Sequence, residues 1–160
     1  KIAHKVRGKV KIVGVFVDEQ AANVKKIARK CRLDLLQFSG NETPAYVSGF
    51  DLPTVKAIHV KGKESLWKIS SFDAEYIMLD TFREGEFGGT GKTFDHLHLK
   101  NLKAGKLLFI AGGLRPGNVA RVVRQLKPFA VDVASGVEDR PGRKSFAKMK
   151  KFISEVRSVQ

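Results

Sequence analysis

The sequence has little that could cross-link the chain or hold it in a membrane. Cys31 is the only cysteine among 160 residues, so no internal disulfide can form, and a reducing cytoplasm is the expected compartment. No apolar run approaches the ~20 residues that a membrane-spanning helix needs. The basic N-terminus leads into no hydrophobic block of the signal-peptide type, so we expect neither secretion nor a membrane partner.

Acidic residues are also scarce relative to basic ones. The chain has 16 Asp and Glu against 30 Lys and Arg, which gives a formal net charge of +14. Nucleic-acid-binding proteins concentrate such an excess on one face or in a tail. Here the basic residues are spread over nearly every predicted helix and loop, without an arginine-rich tail or an RNA-recognition aromatic motif. This distribution favours a solvated cationic surface, which would also attract an anionic substrate, over nucleic-acid binding.

Short β-branched runs, loops and helical stretches alternate along the chain. The predicted strands span residues 11–17, 33–38, 54–59, 75–80, 106–111 and 129–133, and the predicted helices span residues 19–30, 44–48, 64–70, 94–102, 118–126 and 144–159. Continuous Val/Ile/Leu runs that alternate with helices predict a parallel sheet buried on both faces. Because no Rossmann glycine signature follows the first strand, the pattern favours a (β/α) barrel over a doubly wound sheet. No shift in composition marks a second domain.

Two successive loops place small residues directly after a strand. Gly112 and Gly113 follow the fifth predicted strand, and Ser135 and Gly136 follow the sixth. Exposed backbone N–H groups at such points can bind a phosphate, and barrels commonly build their phosphate site from the last two loops. A tight turn explains either loop alone equally well. The occurrence of two such loops in succession favours a phosphate site.

Asp80 and Asp132 each stand at the end of an apolar strand, where parallel β/α proteins gather their reactive groups. A carboxyl group that a partly dry strand end keeps protonated can donate a proton. An aspartate at the same place can instead stabilise the following loop. The residues alone leave both roles open for Asp80 and favour the structural role for Asp132. The third strand is predicted to end near Lys56 and Ala57, with the Lys56 side chain directed into the barrel mouth or out to solvent.

The remaining polar motifs do not indicate a metal or nucleotide site. No metal-ligand spacing links the candidate ligands His4, Cys31, His59, His96 and His98. The run Gly91-Lys92-Thr93 imitates the end of a nucleotide-binding P-loop, which needs a glycine where this chain has Glu86. The glycine-rich segment 88–95 is therefore predicted to fold over a ligand.

The motifs of this chain resemble those of the phosphoribosylanthranilate isomerase family, and they occur in the same order. The matching blocks are residues 13–17, 36–40, 79–81, 88–95, 111–119 and 128–138. The glycine loop ending in Lys-Thr-Phe-Asp and the block Asp-Val-Ala-Ser-Gly-Val-Glu are highly specific. The resemblance implies the α/β class and a (β/α)8 TIM-barrel fold. It also implies a cofactor-free and metal-free isomerase of tryptophan biosynthesis that binds a small phosphosugar.

The family reaction is an Amadori rearrangement of phosphoribosylanthranilate to carboxyphenylamino-deoxyribulose phosphate. A general acid protonates the furanose ring oxygen, and a general base removes a proton from the adjacent sugar carbon. The enolamine that results tautomerises to the ketone. By resemblance, Asp80 matches the general acid, and Asp132 matches a site aspartate whose role stays open. The phosphate-binding loops match Gly112, Gly113, Ser135 and Gly136.

Some features of the family are missing. Its general base is a cysteine in a Lys-Ile-Cys-Gly-Ile-type block on the first strand, and an arginine after the second strand holds the anthranilate carboxylate. Neither block occurs here, and Cys31 matches a helix position. Ser39 stands where many members have histidine. The resemblance therefore predicts one incomplete barrel domain, residues 1–160, that matches the third to eighth β/α units and lacks the first two strands.

A barrel without two strands would expose two parallel edges and part of its interior. We therefore expect a fragment, or a chain whose open side is covered by a homodimer partner or a complementing N-terminal segment. Alone, it should bind phosphate better than it turns over substrate. The alternatives are another phosphosugar-binding barrel enzyme, such as indole-glycerol-phosphate synthase, and a basic nucleic-acid-binding domain. The former would need catalytic Lys and Glu residues on early strands, which this chain does not show.

Overall fold

The computed structural model describes residues 2–60, 64–80 and 106–159, which form a parallel sheet with connecting helices. The strands are β1 (Val13–Phe16), β2 (Leu35–Phe38), β3 (Thr54–His59), β4 (Tyr76–Asp80), β5 (Leu107–Ala111) and β6 (Ala130–Val131). The helices are α1 (Ile2–Val6), α2 (Ala21–Cys31), α3 (Pro44–Val47), α4 (Glu64–Trp67), α5 (Val119–Leu126) and α6 (Phe146–Arg157). Within these residues no helix has the length and apolar character needed to span a bilayer.

The strands follow one another in the sheet in the same order as in the chain. Each pairs in parallel with the next, from β1 to β6. A doubly wound sheet reverses its strand order at a switch point, whereas a barrel does not. The predicted α/β class with a parallel, barrel-type sheet is confirmed. The absence of two strands from an eight-stranded barrel stays a prediction.

The two faces of the sheet pack differently. On the helix face, the strand residues Phe38, Leu79 and Ile110 share one buried cluster with helix residues such as Val24 and Phe152. On the opposite face, strand residues alone form a smaller buried cluster, which consists of Val55, Ala57, Met78 and Ala111. We call this opposite side the strand-only face. In the described ranges the helices therefore cover one face of the sheet, as in a barrel.

The strand-only face is open to solvent along β1. The side chains of Val13, Val15 and Val17 alternate with the buried Phe16, and these valines are 41%, 60% and 63% exposed. Successive strand residues point to opposite faces, so Val13 and Val15 lie on the strand-only face, and Val17 follows directly after β1. An apolar strip of this kind at a sheet edge is typical of a surface that another element covers.

The predicted elements agree with the structure except near the C-terminus and at some ends. Only Ala130–Val131 of the sixth predicted strand is paired, and a short antiparallel hairpin of β7 (Glu138–Arg140) and β8 (Arg143–Lys144) precedes α6. The last helix therefore begins at Phe146, after the hairpin, and not at Lys144 as predicted. The side chain of Ser145 caps its N-terminus. The predicted helix 94–102 and the glycine-rich segment 88–95 lie outside the described residues.

Candidate active site

Three polar residues lie side by side at the carboxyl ends of the strands. In the β3–β4 register His59 is opposite Asp80, and in the β4–β5 register Asp80 is opposite Ala111. The backbone N–H of Asp132 donates to the Ile110 carbonyl at 2.8 Å, which puts Asp132 just after β6 at the same level. Because side chains alternate along a strand, His59 shares a face with Ala57, and Asp80 shares a face with Met78. Both therefore point to the strand-only face.

His59 and Asp80 are in direct contact. The imidazole Nδ1 is 3.3 Å from the Asp80 Oδ2, and the two side chains are 61% and 31% exposed. Sequence reasoning considered His59 only as a metal ligand, although the predicted strand 54–59 ends at this residue, as β3 does. The signal that was available is that His59 directly follows the apolar part of the strand.

The carboxyl group of Asp132 interacts electrostatically with Asp80. Partial burial raises the pKa of the Asp132 carboxyl above its ordinary value, the negative charge of Asp80 raises it further, and Lys144 opposes both. The side chain nevertheless reaches solvent from the open sheet face. This carboxyl group therefore holds its proton more readily than a free aspartate does, right beside the predicted proton donor.

The two predicted phosphate loops contact each other. The first has Gly112 and Gly113 in the left-handed region, with φ of 88° and 62°. The second contains a 3₁₀ turn at Ser135–Val137. A Cβ added to Gly136 would lie 1.8 Å from the carbonyl oxygen of Leu114 in the first loop, so only glycine permits this approach. The structure thus brings the residues of both predicted loops to one place.

Asn118 fixes the shape of the first of these loops. Its buried side chain accepts a hydrogen bond from the Arg115 N–H at 2.8 Å and donates to the Gly113 carbonyl at 2.9 Å. Sequence reasoning used Asn118 only as the start of a helix. The Pro-Gly-Asn order was a signal for a side chain that binds loop backbone.

Lys56 contradicts both predicted orientations, because it points neither into the barrel mouth nor to solvent. Its Nζ is 2.8 Å from the Glu42 Oε2, and the two side chains are only 4% and 2% exposed. The ammonium also donates to the Gly40 carbonyl at 2.7 Å and lies 5.6 Å from the centre of the Phe72 ring. The cause is strand alternation: Lys56 has the parity of Ile58, which packs on the helix face.

Glu42 connects this buried pair to the loops after β1 and β2. Its carboxylate accepts hydrogen bonds from the N–H of Asp18 at 3.0 Å and of Gly40 at 3.0 Å. Burial acts to raise the pKa of Glu42, but the hydrogen bonds from Lys56 and the Asp18 N–H outweigh it and hold that pKa below its ordinary value. Glu42 and Lys56 therefore set the positions of two loops at the rim of the site.

No metal site is present in the described ranges. The His, Cys, Asp and Glu residues there form no group of three or more that could hold a metal ion. Cys31 ends α2 and is half-buried, away from the strand ends. The predicted acid and phosphate-loop residues do come together: Asp80 and Asp132 share the strand-only face, and the two glycine loops lie at the same end of the sheet.

The chain is similar to known phosphoribosylanthranilate isomerases. The family model of N-(5'-phosphoribosyl)anthranilate isomerase matches residues 1–155. The isomerase of Thermoanaerobacter sp. is 46% identical over 152 residues, which cover 94% of this chain and 74% of that protein.

Solved structures give the same result. The crystal structure of the isomerase from Thermotoga maritima superposes with a TM-score of 0.84 at 32% identity, over 98% of this chain and 78% of that one. A structure of the isomerase in complex with reduced 1-(o-carboxyphenylamino)-1-deoxyribulose 5-phosphate has a TM-score of 0.83 at 29% identity, over 98% of this chain and 76% of the other. On this evidence the chain belongs to the phosphoribosylanthranilate isomerase family, a family of isomerases of tryptophan biosynthesis.

Proposed function

We propose that this chain supplies the acid and the phosphate-binding loops of a phosphoribosylanthranilate isomerase site, with Asp80 as the general acid. The observation that carries the proposal is the position of Asp80 on the strand-only face, beside Asp132 and at the same end of the sheet as the two glycine loops. An acid at this place lies where a sugar ring would sit when its phosphate is bound by those loops.

Asp80 transfers one proton during ring opening in this proposal. Its carboxyl O–H bond breaks as the proton moves to the furanose ring oxygen, and the ring C–O bond breaks with its electron pair going to that oxygen. The lone pair of the anthranilate nitrogen forms the C=N bond of the Schiff base. A base then removes the proton from the neighbouring sugar carbon, and the enolamine tautomerises to the ketone.

The loop residues Gly112, Gly113, Ser135 and Gly136 bind the phosphate in this proposal. Gly112 and Gly113 have left-handed backbone, which directs their N–H groups away from the regular strand pattern. Backbone N–H groups in such conformations bind anions. Two buried apolar side chains, Leu114 and Val137, hold the loops on the core. Asp132 lies beside Asp80, and because its pKa is raised, its neutral form would reduce the repulsion on the Asp80 carboxylate after proton transfer.

The general base comes from outside these 160 residues in this proposal. Cys31, the only cysteine, is at the end of a helix rather than of a strand. The exposed valines of β1 mark the edge where further strands of the barrel would pair and cover the strand-only face. A complementing segment at this edge would add the base, and a homodimer contact is the other way to cover the face.

The first experiment replaces the acid. In the chain complemented by a segment that adds the base, Asp80→Asn keeps the shape of the side chain but cannot donate a carboxyl proton, so we expect kcat to fall by about 10²–10⁴-fold. The reaction product, carboxyphenylamino-deoxyribulose phosphate, should still stabilise the variant against thermal unfolding, because the phosphate-binding loops are intact. Asp73→Asn is the matched control, since its side chain is 95% exposed and it precedes β4, at the opposite end of that strand from Asp80. Turnover of Asp80→Asn within a few-fold of the wild type would refute the role of Asp80.

The second experiment tests the missing base. We expect the chain fused to an N-terminal segment with a Lys-Ile-Cys-Gly-Ile-type strand to turn over substrate on the order of 10²-fold faster or more than the chain alone. The same fusion with alanine in place of its cysteine is the control, because it repairs the sheet edge without adding a base. Equal turnover of the chain with and without the segment would disprove an external base.

A further inference from the structure

We infer that His59 is a positioning residue that returns a proton from solvent to Asp80 after each turnover. Three observations carry this. The Nδ1 of His59 is 3.3 Å from the Asp80 Oδ2. The two residues are paired in the β3–β4 register. The backbone N–H of Val60 donates to the Asp80 carbonyl at 3.0 Å, which fixes the strand ends against each other. The sheet therefore places the two residues side by side.

The exposure of the two side chains gives the direction of transfer. Asp80 is the less exposed of the two, and His59 extends from it to solvent. Histidine is the side chain whose charge ordinarily changes between about pH 5 and 8, and it commonly serves as a proton shuttle. A residue in this position contacts the acid on one side and water on the other, which is what a proton relay needs.

The relay rests on the proposed function and balances as follows. Asp80 gives its proton to the ring oxygen and becomes a carboxylate. The protonated imidazole of His59 then breaks its Nδ1–H bond, and the proton forms an O–H bond on the Asp80 Oδ2. The neutral imidazole takes a proton from water or a buffer acid. No oxidant, metal or further reactant is required, and Asp80 is ready for the next ring opening.

Charged groups from neighbouring elements lie around the pair. In the described ranges, Asp80 is faced by His59 from β3 and by Asp132 after β6, and Lys144 acts on Asp132. The Lys56 ammonium lies on the opposite face of β3, where it is paired with Glu42. The Lys56 ammonium therefore takes no part in the relay.

The kinetic test compares His59→Gln and His59→Ala with the wild type in the active form of the enzyme. We expect kcat to fall on the order of tenfold in both variants, with KM unchanged, because His59 resets the acid and does not bind substrate. Added imidazole should restore kcat of His59→Ala in proportion to its protonated concentration. Asp80→Asn is the control, since imidazole cannot replace the acid itself. Unchanged kcat, or a loss that lies in KM and resists imidazole, would overturn the relay.

A spectroscopic test is independent of turnover. The ¹⁵N signal of His59 Nδ1 reports its hydrogen bond, and we expect it to differ between the wild type and Asp80→Asn. Identical signals would overturn the inference whatever the kinetics. If Asp80→Asn lost turnover in the active form while both His59 variants kept it, the relay alone would fail and the proposed function would stand. If Asp80→Asn also kept its turnover, the proposed function would fail.

Discussion

The buried pair of Lys56 and Glu42 gives a sharp test of how this fold is held together. Lys56→Met keeps an unbranched side chain, one atom shorter, and removes its charge, which leaves the 2% exposed Glu42 side chain without its ammonium partner. Removing one partner of a buried pair costs about 3–5 kcal/mol. Glu42 keeps its hydrogen bonds from the N–H of Asp18 and Gly40, so we expect the lower end, about 3 kcal/mol.

The pH dependence of this loss has a definite sign. In the wild type the pKa of Glu42 is held below its ordinary value, so its stabilising contribution is present above the unfolded pKa and is lost as pH falls through the folded one. In Lys56→Met burial remains while the main opposing hydrogen bond is gone, so the carboxyl group protonates more readily. The difference between the two proteins should therefore shrink as the pH falls from about 7 to about 4.

Urea unfolding followed by circular dichroism measures this difference, with the m-value as a check on two-state behaviour. Lys11→Met is the matched control. It breaks the Lys11–Asp34 pair at 3.2 Å, whose side chains are 78% and 33% exposed, so its stability should change far less than that of Lys56→Met. A loss for Lys56→Met no larger than that of the control, or one that is the same at both pH values, would refute the reasoning.

Three further substitutions test the loops and the last helix. Gly136→Ala puts a Cβ 1.8 Å from the Leu114 carbonyl oxygen, so we expect thermal stabilisation by phosphate to weaken. Gly142→Ala is the control, because Gly142 has φ of +78° but open space around an added Cβ. Equal effects of the two substitutions would contradict the loop contact. Burial raises the folded pKa of Asp132, so its wild-type contribution falls as pH rises through that value. Asp132→Asn should then unfold at higher urea near pH 7 with no advantage below about pH 4, and a destabilised variant at neutral pH would contradict this. Ser145→Ala removes the cap of α6 and should cost about 1 kcal/mol by thermal unfolding, whereas a negligible change would show that the cap is weak.

The local features of the chain were predictable from the sequence. Continuous apolar runs indicated the strands, and their alternation with helices indicated a parallel, barrel-type sheet. Both signals come from the spacing of apolar residues along the sequence. The glycines of the loops after β5 and β6 were also visible, since left-handed backbone at Gly112 and Gly113 favours that residue type. The short pairing of β6 was not predicted, because its length depends on how far its neighbour extends.

Contacts between distant residues were decided by the tertiary structure alone. Glu42 lies on a loop and Lys56 on β3, 14 positions later in the chain. No local sequence pattern predicts that the two side chains form a pair. The face to which Lys56 points depends on where β3 begins, and a shift of one residue reverses it. The contact of His59 with Asp80 likewise depends on the β3–β4 register.

The sequence by itself determined the kind of sheet, the helices around it and the identity of the residues at the strand ends, because secondary structure follows from short-range periodicity and backbone preference. The tertiary structure alone decided which of those residues meet. Strand register and side-chain parity brought Asp80 to His59 and Asp132, and buried Lys56 against Glu42 on the other face of the sheet. These are properties of pairing between strands, which the order of residues along one strand does not contain.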